Sequence, residues 1–168
     1  MKKALITGGA GFIGLHLANK LLNNGYRVDI VDNFSRAVKD ADLDNISSIR
    51  EVRIENINLL KSKSTKNLEN NYNYIFHLAA IIGVQHVLKN PYKVVEQNFL
   101  LLQNALEIAK RQKNLKRFIF TSTSEVYSGA LKYHGLDFPT PEITPLTVNP
   151  LIEPRTSYML SKIYGEAM

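Results

Sequence analysis

The sequence contains no cysteine. That excludes disulfides, thiolate zinc sites and cysteine nucleophiles together, and it suits a reducing compartment. Long apolar runs are also missing. The longest, Ile75 to Val84, is interrupted by His77 and falls far below the ~20 residues a membrane-spanning helix needs. Met1-Lys2-Lys3 is basic, but only Ala4-Leu5-Ile6 separates it from Thr7-Gly8-Gly9, too little for a signal peptide. The expectation is a soluble, cytoplasmic protein with no membrane partner. Neither low-complexity segments nor internal repeats interrupt the chain.

What is present is ordinary for a packed domain: 168 residues, 45% hydrophobic and 21% charged. A chain of this size buries roughly 70% of its unfolded surface, so a single domain over residues 1–168 is expected. The net charge of +6 raises the question of nucleic acid. Its densest cluster, Lys110, Arg111, Lys113, Lys116 and Arg117, surrounds the end of a predicted helix, where cations complement the helix dipole. No nucleic-acid partner is expected.

The pattern alternates strands with crossovers, which predicts an α/β fold with a parallel sheet. Strands are expected at Lys3 to Thr7, Arg27 to Val31 ending at Asp32, Glu51 to Ile57, Tyr74 to Leu78 and Arg117 to Ser122. A first helix runs from about Phe12 to Asn24, with Ile13, Leu17, Ala18, Leu21 and Leu22 on one face and Gly25 as its stop. Asn90-Pro91 opens a long helix carrying Val94, Val95, Asn98, Leu102, Ala105, Leu106 and Ala109 at helical spacing. Gly129 to Arg155 holds five of the six prolines and reads as a long loop of the kind that serves function. Ser157 is expected to cap a last helix ending at Met168.

Four constellations carry chemistry. In Gly8-Gly9-Ala10-Gly11-Phe12-Ile13-Gly14 the glycines permit a tight turn and close backbone approach to a pyrophosphate resting on a helix N-terminus. The preceding strand and following amphipathic helix give the triplet its weight. Asp32 lies 18 positions after Gly14, where an acidic residue accepts hydrogen bonds from an adenosine ribose. Its charge opposes a 2′-phosphate and favours NAD over NADP, although Arg36 nearby could hold that phosphate. Finally, Tyr158 and Lys162 are four apart on the last helix and share a face. A phenol ordinarily titrates near pH 10, and bringing it near 7 takes roughly 4 kcal/mol, which an adjacent ammonium and an oxidised nicotinamide could partly supply. Thr121 to Tyr127 adds hydroxyls at the carboxyl edge of the sheet, where open α/β folds bind ligands.

Taken together, TGGAGFIG, Asp32-Asn33, His77-Leu78-Ala79-Ala80, TSTSEVY and Tyr158 to Lys162 resemble the extended short-chain dehydrogenase/reductases, and within them the NAD-dependent nucleotide-sugar epimerase/dehydratase group. The resemblance implies a Rossmann-like, doubly wound sheet of about five strands in the order 3-2-1-4-5, with helices on both faces. It implies that Gly8, Gly11, Phe12, Ile13 and Gly14 cradle the pyrophosphate of NAD, and that Asp32 and Asn33 hold the ribose. Asn56-Ile57 matches the usual Asp-Ile at the adenine. Leu78, Ala79, Ala80 and Asn98 match cofactor-lining positions, Asn98 needing buried partners on its apolar face. Tyr158 is then the base toward a sugar hydroxyl, Thr123 steadies that oxygen, and Lys162 binds the nicotinamide ribose.

The finer resemblance divides the reactions. Dehydratases carry an acidic pair after the threonine; here Ser124 and Glu125 stand there, so dehydration is disfavoured. The string STSEVY and Pro154-Arg155 look most like UDP-glucuronate decarboxylases, but epimerase-like proteins share the string; the resemblance therefore implies first a family protein that oxidises a sugar nucleotide at C4 to a keto intermediate, with decarboxylation as the narrower alternative and Glu125 as a further catalytic candidate. No metal site is implied. The substrate implied is a nucleotide-sugar, a UDP-sugar first, and the assembly a homodimer through the long helix and the Tyr158 helix. Family members continue into a substrate domain, whereas this chain ends six residues after Lys162. The expectation is an incomplete enzyme that binds NAD with little or no turnover alone, an inactive NAD-binding module being the alternative.

Overall fold

The segment Lys3–Thr7 is buried at every residue, the pattern of a strand with neighbours on both sides and both faces covered. It is β1 of a five-stranded parallel sheet completed by Arg27–Asp32 (β2), Val52–Asn56 (β3), Tyr74–His77 (β4) and Arg117–Phe120 (β5). The strand order is β3-β2-β1-β4-β5, as the resemblance implied. The computed structural model describes residues 1–38 and 40–168. Parallel pairing requires crossovers. These are supplied by Phe12–Asn23 (α1), Ala41–Ser47 (α2), Val84–Lys89 (α3) and Pro91–Lys110 (α4), with Ser128–Tyr133 (α5) and Thr156–Ala167 (α6) following β5.

The chain divides into two compact units, Met1–Ala80 with Leu100–Thr121, and Ile81–Phe99 with Ser122–Met168. In the first, Ile6, Val28 and Ile30 project from one face of the sheet onto Leu15 and Ala18 of α1 and Leu43 and Ile46 of α2. The neighbouring residues Leu5, Asp29 and Val31 alternate to the other face. Asp29 is buried there, forms an ion pair with Lys3 Nζ (3.0 Å) and accepts a hydrogen bond from the Tyr72 hydroxyl (2.7 Å). Lys3 also reaches Glu69 at 2.6 Å.

Helix α1 buries Gly14, Leu15 and Ala18, while Ile13, expected on the inner face, is 68% exposed. The first turn leans its Gly14 side on the loop before it, and that rotates Ile13 outward. Gly25 ends the helix: its N–H donates to Leu22 O and that of Tyr26 to Leu21 O, satisfying the last carbonyls. Strand β5 stops at Phe120, two residues early, because β4 ends at His77, whose carbonyl takes both the N–H and the hydroxyl of Thr121. Helices α2 and α3, short and weakly periodic, went unread in the sequence.

The second unit holds α3, the first part of α4, α5 and α6. Its core includes Val126 and Met159, and Phe99 packs on Tyr164 with ring centres 5.4 Å apart. The predicted long loop starts with helix α5, and irregular chain follows. That chain is pinned by Asn149 Nδ2 donating to Ser128 Oγ at 2.9 Å and by a Lys132–Glu153 ion pair at 3.0 Å. Arg155, not Ser157, is the residue preceding α6; Ser157 lies within the first turn and donates its hydroxyl back to Pro154 O.

Candidate functional site

In the first unit the sheet turns directly into α1. Gly8 adopts φ +67°, and a Cβ there would lie 2.7 Å from Ala79 N. At Gly14 a Cβ would meet the Gly9 backbone at 2.5 Å. Only glycine fits either place. Gly11 precedes α1 without a side-chain cap, so no side chain occupies the positive end of the helix, where Phe12 and Ile13 start the first turn with their side chains outward. That arrangement fits an anionic pyrophosphate held by backbone N–H groups.

Asp32 ends β2 beside this loop. Its carboxylate accepts hydrogen bonds from the N–H groups of Ala10 (3.1 Å) and Phe34 (2.9 Å). An ionised carboxylate offers about four acceptor positions, so two remain for ribose hydroxyls. Asn33 is exposed and holds Ser35 N–H through its side-chain oxygen at 3.0 Å. Asn56 lies in register with Asp32 at the end of β3, and Ile57 N–H donates to Asp32 O at 2.9 Å, so both neighbour the acidic residue. Leu78, Ala79 and Ala80 follow β4; Leu78 N–H donates to Thr7 O and Ala79 N–H to Thr7 Oγ1, tying this segment to the end of β1. A cleft of about 320 Å³ opens beside the loop, lined among others by Gly11, Phe12, His16 and Arg36. His16 was missed in the sequence, where it reads as one more polar position of an amphipathic helix.

In the second unit, Thr123 and Glu125 come from the tight turn Ser124–Tyr127 and its first flanking residue, while Tyr158 and Lys162 lie on α6. Thr123 Oγ1 accepts from Glu125 N–H at 3.3 Å, which caps the turn. Lys162 Nζ stands 5.8 Å from the centre of the Tyr158 ring, as the four-residue spacing predicts. Burial pushes the Lys162 ammonium down to about 8. Burial and the Glu125 carboxylate raise the Tyr158 phenol above its ordinary range, against a hydrogen bond with Thr123 that pulls it down. In the protein alone the phenol is thus displaced opposite to the direction that a nearby ammonium led the sequence to anticipate.

Asn98 is buried and has the partners it was expected to need. Its oxygen accepts Ile81 N–H at 2.6 Å, and its amide donates to Ile81 O and Ser161 Oγ, both at 3.1 Å. Ser161 in turn donates to Tyr158 O at 2.7 Å. Asn98 and Ser161 therefore hold the turn of α6 that carries Tyr158. Ser161 escaped the sequence reading because a serine within a helix gives no signal of its own. Arg155 pairs with Glu125 at 2.7 Å, a contact that joins the start of α6 to the turn.

No helix among the described residues is long and apolar enough to cross a membrane. Comparison with known proteins matches residues 4–168 to the model of the NAD-dependent epimerase/dehydratase family. A UDP-N-acetyl-alpha-D-glucosaminuronate decarboxylase of Bacillus cytotoxicus is 42% identical over 126 residues, covering 75% of this chain and 38% of the relative. UDP-glucuronic acid decarboxylase 1 of Xenopus tropicalis is 34% identical, covering 99% of this chain and 36% of its own length. Among solved structures, the UDP-Glc/GlcNAc 4-epimerase of Campylobacter jejuni superposes with a TM-score of 0.81 at 28% identity. A UDP-glucose 4-epimerase of Bifidobacterium longum, in complex with NAD+ and UDP, gives 0.80 at 27%. Each covers 99% of this chain, which spans 47% of either solved protein. The chain belongs to the NAD-dependent epimerase/dehydratase family.

Proposed function

We propose that this chain binds NAD and carries the proton-transfer residues for oxidation at C4 of a UDP-sugar, with decarboxylation of a UDP-glycuronate as the specific reaction. The observation that carries this reading is the grouping of Thr123, Glu125, Tyr158 and Lys162 in one unit, with Asn98 and Ser161 fixing the turn beneath the tyrosine. Gly8, Gly11, Phe12, Ile13 and Gly14 hold the pyrophosphate, and Asp32 and Asn33 the adenosine ribose. Asn56, Ile57 and Leu78 to Ala80 border the adenine and the remaining cofactor surface. NAD supplies the hydride acceptor when bound. Tyr158 Oη removes the proton of the sugar hydroxyl, Thr123 Oγ1 hydrogen-bonds the same oxygen, and Lys162 Nζ stabilises the phenolate while binding the nicotinamide ribose. Ser124 and Glu125 in place of an acidic pair argue against dehydration, while the STSEVY string, Pro154-Arg155 and relatives named as decarboxylases favour decarboxylation over epimerisation.

The test is calorimetric titration with NAD, followed by absorbance of reduced cofactor with UDP-glucose, UDP-glucuronate and UDP-N-acetylglucosaminuronate. NAD binding lost in Asp32→Arg, and reduction by a glycuronate lost in Tyr158→Phe, are expected. NAD binding with no response to any UDP-sugar would leave an NAD-binding module. The reading extends to a cytoplasmic homodimer through α4 and α6, which expose Tyr92 and Tyr164 (73% and 52%). Light scattering that gives a monomer at high concentration would overturn the dimer.

A further inference from the structure

The Tyr158 phenol lies in the field of a carboxylate that no step above requires to be there. Glu125 comes from the Ser124–Tyr127 turn, and its charge opposes loss of the tyrosine proton. Such a neighbour is a handicap for a base unless something neutralises it. Arg155 does so, placing Nη2 2.7 Å from Glu125 Oε1.

Three features make this more than a surface ion pair. Arg155 is the residue just before α6, and its carbonyl accepts the N–H of Tyr158 at 3.2 Å, so the two residues belong to one turn. The competing partner nearby in sequence, Glu153, is already paired with Lys132 at 3.0 Å. Glu125 itself is tied at its N–H to Thr123 Oγ1, the hydroxyl that works against the rise of the Tyr158 phenol. Glu125 opposes loss of the phenol proton and Thr123 favours it, Lys162 Nζ stands 5.8 Å from the ring centre, and the group answering Glu125 is Arg155. Glu142 and Glu166 face Tyr127 and Ser122 instead, and Glu96 accepts the Tyr92 hydroxyl at 3.3 Å.

We propose that Arg155 is a positioning residue for Tyr158: its salt bridge clamps the Ser124–Tyr127 turn to the first turn of α6 and neutralises Glu125, which keeps the tyrosine able to release its proton. The inference rests on Tyr158 as the base but needs neither NAD nor a sugar to be tested, so its failure is separable from failure of the functional reading.

The experiment is a pH titration of the full chain labelled with ¹³Cζ-tyrosine, followed by NMR from about pH 8 to about pH 12. The eight tyrosines are resolved by assigning Tyr158 from its absence in Tyr158→Phe. Arg155→Ala is expected to raise the Tyr158 midpoint by about half a pH unit, the effect of leaving the Glu125 charge unanswered in a wet site. Arg155→Lys should keep the wild-type midpoint. Glu125→Gln should lower it, and in that background Arg155→Ala should shift it by less than half as much. Because the Arg155 side chain is 54% exposed, the fold tolerates its removal. Arg155→Gln serves as a second variant with the same expected rise. An unchanged midpoint in both Arg155→Ala and Arg155→Gln, or a shift that persists in full without Glu125, would overturn the proposal.

Discussion

Gly14→Ala asks how closely α1 must approach the turn before it. On an open helix surface, alanine in place of glycine stabilises by about 1 kcal/mol. Here the new Cβ would lie 2.5 Å from both Cα and O of Gly9 and 2.7 Å from its carbonyl carbon. All three are backbone atoms that no rotamer change can move aside, so relief requires α1 to slide off the loop. Overpacking of this kind costs about 1–3 kcal/mol. The slide also loosens Leu15 and Ala18 from Ile6 and Ile30. Because the atoms met are backbone, the clash falls at the upper end of that range, and after the propensity gain the net loss is about 2 kcal/mol, or about 4–8 °C in Tm for a chain of this size. Gly25→Ala is the comparison, since at φ +74° it meets nothing within 4 Å. It should lose about 1 kcal/mol through backbone conformation alone and leave NAD affinity untouched. Urea unfolding followed by circular dichroism, with NAD titration alongside, reads both. A Gly14→Ala protein as stable as wild type would refute the packing argument.

Three further outcomes follow from buried polar groups. Lys162 is buried with its ammonium lowered to about 8 from 10.5, so the unfolded chain binds the extra proton between those values. Stability should therefore rise with pH from about 8 toward 10, by at most about 3 kcal/mol, and Lys162→Met should flatten that rise in denaturant midpoints measured across the range. Asn98→Leu strands the N–H and carbonyl of Ile81 and should cost about 2 kcal/mol in urea unfolding, whereas an exposed change such as Gln103→Leu should cost almost nothing. Asp29→Ala leaves the buried Lys3 with Glu69 alone and removes the acceptor of Tyr72, a loss of about 3–5 kcal/mol; Lys3→Met with Asp29→Leu should recover most of it, and failure to recover would mean the pair is needed for more than charge balance.

The sheet was legible because its strands are short, apolar and separated by signals with a single meaning. Lys3–Thr7 reads as a strand, and Gly25 as a helix stop, from residue type alone. Strand ends were less so: β5 stops where its neighbour stops, a property of pairing with His77 and not of the sequence Thr121-Ser122. Helices α2, α3 and α5 have 7, 6 and 6 residues, too few turns to display a period. Ile13 was misassigned because its apolar character fits the inner face, yet the contact between Gly14 and Gly9 fixes the helix rotation, and a glycine has no hydropathy to announce it.

At the site, identity and spacing reach as far as which groups meet, and no further. The interval from Tyr158 to Lys162 places the ammonium beside the ring, as found. What that ammonium does to the phenol depends on burial, which weakens the charged lysine and disfavours the phenolate together, and on Glu125, which arrives from a distant turn. Two opposing influences on one proton cannot be summed from positions along a helix. The contacts between segments, Arg155 with Glu125 and Asn98 with Ser161, are what the sequence does not carry: Glu125, Arg155 and Asn98 stand out there by type and motif without their partners, and Ser161 reads as an ordinary helix position.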